Sequence, residues 1–83
     1  MAESRSLKVQ YFAALREQRG LAEESLQSSA QTTAELYAEL RARHRFTLEA
    51  PLVRAAVNGR MVAPSHPLAP GDSVVFLPPV AGG

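Results

Sequence analysis

Gly82 and Gly83, the last two residues of an 83-residue sequence, are where it comes nearest to chemistry. Gly83 has no Cβ, so its carbonyl can be approached from either side, and Gly82 lets the backbone pass through a tunnel too narrow for side chains. Such a carbonyl suits acyl transfer. An α-carboxylate with a pKa of about 3.5 is ionised at neutral pH and is a poor electrophile. It must first become a mixed anhydride, which implies ATP and an adenylating partner. Pro78 and Pro79 stiffen the root of this segment, and the six residues from Pro78 to Gly83 reach about 20 Å when extended. The tip, with Val80 and Ala81 behind it, can therefore be inserted elsewhere. The plainer reading of the glycine pair is a frayed chain end.

The remaining candidates offer less. The sequence holds no cysteine, which excludes disulfides, thiolate metal sites, iron–sulfur ligation and a thiol nucleophile. Any sulfur chemistry must use another atom. His66 and Asp72 share one turn with serines nearby, yet nothing orders them as nucleophile, base and orienter, and His-Pro and Gly-Asp pairs in loops are mostly turn formers. His44 ends an arginine-rich helical stretch and reads as a surface residue that complements the helix dipole. A single histidine makes no metal site.

Apolar residues are 46% of the chain and charged ones 20%, the composition of an ordinary globular protein. The length fits one domain over 1–83 with a single modest core, too small for a deep active site of its own making, so no turnover by the isolated chain is expected. The formal net charge is +1, without a basic block that would track a phosphate backbone, so nucleic acid is not an expected partner. Apolar runs stop at about four residues and the polar start Met1–Ser6 has no signal-peptide core. No membrane partner and a cytoplasmic location are the expectations.

The elements that must position the tail follow from periodicity. Leu7, Val9 and Tyr11 alternate with Lys8, Gln10 and Phe12, the pattern of a strand with one face on a core. Phe12 to Arg19 reads as a short helix closed by Gly20. Leu21 to Ser28, anchored by Leu21, Ala22 and Leu26, reads as an edge strand returning antiparallel to the first. Thr32 and Glu35 fit a capping box that opens a helix of about three turns with the stripe Leu36, Tyr37 and Leu40. Arg41, Arg43 and Arg45 crowd its end, and Glu39 pairs with Arg43 one turn on. Val53–Val57 and Met61–Val62 flank Asn58-Gly59, which predicts a type I′ hairpin. The run from His66 to Asp72 is turn chemistry, Val74–Leu77 is the last strand, and Pro78-Pro79 stops it.

This order predicts an α+β, β-grasp (ubiquitin-like) fold: a mixed sheet of about four to five strands, one main helix and a short second one, with first and last strands adjacent at the centre. If Leu7, Val9 and Tyr11 face the helix, Phe12, Val75 and Leu77 point the other way, and Met61 joins them from the hairpin. These four would form an apolar patch of the kind that marks a partner site, continuous with the Pro78–Ala81 stem. The alternative is that they complete a core wrapped by loops.

The stretch Phe76-Leu77-Pro78-Pro79-Val80-Ala81-Gly82-Gly83 resembles the C-terminus of the family of molybdopterin synthase small subunits. Leu7–Phe12, Ala14–Glu17 with Gly20, Ala56-Val57-Asn58-Gly59, and His66-Pro67-Leu68 with Gly71-Asp72 resemble that family in the same order. Leu77 stands where another large apolar or aromatic side chain is expected, and Met1–Ser6 extends beyond the pattern. The resemblance implies that an enzyme related to ubiquitin-activating enzymes uses ATP to adenylate Gly83, and that a sulfur donor protein turns the adenylate into a thiocarboxylate. It further implies that the tail docks in the large synthase subunit within a heterotetramer and gives its sulfur to a pyranopterin precursor, with no cofactor resident on the carrier. A carrier for thiazole synthesis in the thiamin pathway and a protein modifier joined to lysine share the chemistry as far as the adenylate. The Pro78-Pro79-Val80 root favours the molybdopterin reading.

Overall fold

The structure, a computed structural model, describes residues 4–79. Its elements are β1 (Arg5–Tyr11), α1 (Ala13–Arg19), β2 (Glu23–Ser28), α2 (Thr33–His44), a 3-10 turn (Ala50–Leu52), β3 (Arg54–Val57), β4 (Arg60–Val62) and β5 (Ser73–Leu77). The five strands form one sheet in the order β2-β1-β5-β3-β4. β1 and β5 run parallel side by side, with Val9 opposite Val74 and Tyr11 opposite Phe76, and the other pairings are antiparallel. The expected β-grasp arrangement is therefore observed, first and last strands included.

Period-2 alternation sends Leu7, Val9 and Tyr11 of β1 and Val74 and Phe76 of β5 into the core, where Leu36, Tyr37 and Leu40 of α2 meet them. The aromatic rings lock together: Tyr11 meets Phe46 edge-on at 5.7 Å between centroids, and Tyr37 lies 5.3 Å from Phe76. Leu15 brings α1 onto the same core. Buried side chains of this size each contribute about 1.5–3 kcal/mol on leaving water.

Several local expectations need correcting. The short helix starts at Ala13, because Phe12 keeps an extended backbone (φ −128°, ψ 152°) and acts as its N-cap. Of the three anchors foreseen for the edge strand, only Leu26 turns inward; Leu21 and Ala22 precede β2 and are exposed. The capping box is shifted at one end. Thr32 Oγ1 accepts from the Glu35 amide at 3.2 Å, but the Glu35 carboxylate accepts from the Gln31 amide at 3.3 Å, not from the cap residue itself. The 3-10 turn through Pro51 was unforeseen.

The Asn58-Gly59 turn has both residues at positive φ, 51° and 85°, as a type I′ hairpin requires. Its side chain does more than turn the chain. Asn58 Oδ1 accepts from the Ser73 amide at 3.0 Å, Nδ2 donates to Asp72 Oδ1 at 3.0 Å, and Asp72 Oδ2 accepts from the Ala69 amide at 2.8 Å. Hairpin and final turn are thus tied together where β5 begins. Asp72 is occupied as a turn former, the role its sequence context suggests.

Candidate functional site

β5 is the central strand of the sheet, bonded to β1 on one side and β3 on the other. Its last residue, Leu77, lies opposite Arg54. Pro78 is half-buried and Pro79 exposed; neither has an amide to extend the ladder. The root of the tail is therefore held by two neighbouring strands up to Phe76 and by β3 alone at Leu77. Val80, Ala81, Gly82 and Gly83, the residues expected to carry the chemistry, lie outside the described residues.

On the sheet face away from α2, register sets Met61, Ala56, Val75 and Gln10 in one row across four strands. Leu77 stands two residues further along β5 on that face. Phe12 follows Tyr11, the partner of Phe76, and so comes level with Leu77. Phe12 is 46% exposed and Met61 55%, while Val75 and Leu77 are half-buried. None of the four belongs to the buried cluster. The face is apolar around β5 and β4 and polar towards β2, where Lys8 and Glu23 pair at 3.7 Å.

The other face holds a polar cluster that sequence reasoning missed. Arg19 grips both oxygens of Glu24, Nε to Oε2 at 2.9 Å and Nη2 to Oε1 at 2.8 Å, while the Tyr11 hydroxyl donates to Glu24 Oε2 at 2.6 Å. The Arg19 hydrogen bonds, helped by Tyr11 and opposed by burial, hold the Glu24 carboxyl down to about 2. Burial first and Glu24 second push the Tyr11 phenol up. His44 Nε2 sits 4.0 Å from Glu24 Oε2 with its side chain only 15% exposed, so it is not the surface residue expected. Desolvation first, then Arg19, lowers its pKa despite Glu24. The overlooked signal is alternation: Leu26 faces inward, so Glu24 two positions earlier does too.

An open apolar groove of about 670 Å³ runs between α2, the 3-10 turn and β4. Tyr37, Val53, Val62 and Phe76 line it, and its only ionisable groups are Tyr37 and Arg54. No acid–base pair stands ready there. Among the described residues, no group of three or more His, Cys, Asp or Glu could hold a metal ion, and no helix is long and apolar enough to cross a membrane.

A mixed sheet with parallel outer-sequence strands at its centre, crossed by one main helix, defines a β-grasp, ubiquitin-like domain. The chain belongs to the ThiS family, whose profile matches residues 9–83. It is 38% identical over 80 residues to the molybdopterin synthase sulfur carrier subunit of Escherichia coli, covering 93% of this chain and 99% of that protein. Among solved structures, a putative molybdopterin converting factor subunit 1 from Pyrococcus furiosus is 34% identical with a TM-score of 0.77, over 93% of this chain and 100% of that one. Subunit 1 or 2 in a complex of the two subunits of molybdopterin-converting factor from Helicobacter pylori matches at 26% identity and a TM-score of 0.62, over 94% and 99% of the two chains.

Proposed function

We propose that this chain is a sulfur carrier that serves as the small subunit of a molybdopterin synthase, with the Gly83 carboxyl as the group that is loaded. The observation that carries this reading is the 38% identity to the Escherichia coli carrier subunit over 99% of that protein's length. An adenylating partner joins the Gly83 carboxylate to AMP and releases pyrophosphate. A donor of sulfide-level sulfur then displaces AMP and leaves a thiocarboxylate; its sulfur attacks the pyranopterin precursor inside the large subunit, and hydrolysis of the resulting thioester leaves the sulfur on the precursor and returns the Gly83 carboxylate. The chain's own contribution is presentation. Two ladders anchor β5, Pro78 and Pro79 end them, and glycines let the tip enter a narrow channel. The lack of cysteine means that no internal thiol can intercept the loaded sulfur by exchange. ATP is consumed by the activating partner, and the reading includes a cytoplasmic location, where ATP is supplied.

Intact-mass analysis after incubation with the adenylating enzyme, ATP and a sulfur donor tests the proposal. The expected result is a C-terminal exchange of one oxygen for sulfur, followed by loss of that sulfur when the large subunit and precursor are added. Retention of the sulfur under those conditions, with transfer to thiazole synthesis or conjugation to lysines instead, would replace this reading by one of the two rivals.

A further inference from the structure

Arg54 opens β3 on the apolar sheet face, and its cross-strand partner is Leu77, the last residue before the tail root. It is exposed, and among the described residues no carboxylate lies within 4.0 Å of it. Lys8, the cation that β1 places on the same face, pairs instead with Glu23 at 3.7 Å. The patch of Phe12, Met61, Val75 and Leu77 is thus rimmed at the tail root by a cation that has no carboxylate partner among the described residues.

Reach decides what that cation can meet. The segment from Pro78 carries the Gly83 carbonyl about 20 Å beyond the end of β5 when extended, far outside the span of an arginine side chain rooted opposite Leu77. Arg54 therefore cannot touch a nucleotide or precursor phosphate held at the tip. What lies over it when the tail is inserted is the body of the protein that receives the tail. A planar guanidinium presents a fork of donors that matches a carboxylate on two atoms.

We propose that Arg54 is a recognition residue of the docking face, meeting a carboxylate on the large synthase subunit at the edge of an apolar contact made by Phe12, Met61, Val75 and Leu77. The inference rests on the sulfur-carrier reading and adds to it the charge that the partner must display beside its tail channel. At a rim position such a pair acts on the association rate and its salt dependence more than on the dissociation rate.

The test is binding kinetics against the purified large subunit at low and high salt, with the wild-type chain, Arg54→Gln, Arg54→Glu, Leu77→Glu and, as a charge control on α2, Arg43→Glu. At low salt the association rate falls about threefold for Arg54→Gln and about tenfold for Arg54→Glu, and the difference from wild type shrinks at high salt. Arg43→Glu, which makes the same change in net charge, has a smaller effect than Arg54→Glu. An equal effect of the two overturns the proposal in favour of long-range charge alone. Wild-type association by both Arg54 variants, with Leu77→Glu weakened, overturns it while leaving the docking face intact. Unchanged binding by Leu77→Glu as well would remove the docking face itself. Thermal melts of each variant check that the fold is kept.

Discussion

Arg19 holds Glu24 by both carboxylate oxygens, at 2.9 and 2.8 Å, and so fastens the end of α1 to β2 five residues later. The Tyr11 hydroxyl of β1 closes on the same carboxylate. Three elements are joined at a group that must be ionised to accept all three bonds.

This cluster sets an acid limit on the fold. The Glu24 carboxyl is held down to about 2 from 4.5, so between those values the unfolded chain binds more protons than the folded one. Its contribution is complete above about pH 4.5 and is lost as pH falls towards 2. Allowing for solvent at the 16% exposed side chain, the loss should be about 1–2 kcal/mol. His44, whose pKa is lowered, acts in the same direction, starting from about pH 6.5 downward. Urea melts across this range should show the decline, and Glu24→Gln should flatten its acid part. A Glu24→Gln profile as steep as wild type would rule this origin out.

The proposed chemistry places its limit at the other end of the chain. Appending one residue after Gly83, or deleting Gly83, should abolish sulfur loading while the melting temperature stays unchanged, since β5 ends at Leu77. Normal thiocarboxylate formation by the extended chain, read by intact mass, would contradict the assignment of Gly83.

Neighbours on β5 should respond in opposite ways. Leu77, half-buried on the open face, can become Glu at a cost of about 1 kcal/mol or less, whereas Phe76→Ala removes a side chain that is 1% exposed and should cost about 3–5 kcal/mol. Leu77→Glu should nevertheless weaken binding to both the large subunit and the adenylating enzyme. Calorimetric titration and a denaturant melt separate the two effects; a collapse in the stability of Leu77→Glu would assign it to the core.

The brace beneath the hairpin gives a graded pair. Asp72→Ala removes one partner of Asn58 and one of Ala69 and should lower stability by about 1 kcal/mol. Asn58→Ala loses the bond to the Ser73 amide as well and places a Cβ residue without a polar side chain at φ 51°, for about 2 kcal/mol or more. Equal melting temperatures for the two variants would show that the bond to Ser73 carries no weight.

Much of the fold was legible because its signals are local. Alternation from Leu7 to Tyr11 and the Asn58-Gly59 pair each act over a few residues, and both appear as expected. The outward facing of Phe12, Val75 and Leu77 followed from the same alternation, whereas that of Met61 rests on its pairing with Ala56 across the hairpin. What escaped depends on tertiary pairing: nothing within Glu23–Ser28 tells that Glu24 will meet Arg19, Tyr11 and His44, which arrive from three other elements. His44 was misjudged because the helix-end argument considers only its own helix. Leu21 and Ala22 look like strand anchors by composition, yet they fall in the loop because β2 begins only at Glu23, opposite Gln10.

The placement of β5 between β1 and β3 also has a mechanical meaning. A pull along the tail runs parallel to the strand and loads both hydrogen-bond ladders in shear, so their bonds share the force together, whereas an edge strand such as β4 would have a single ladder to bear it. The domain can be drawn tightly against whatever grips its end, and later withdrawn, without the strand that bears the load being the first to unravel.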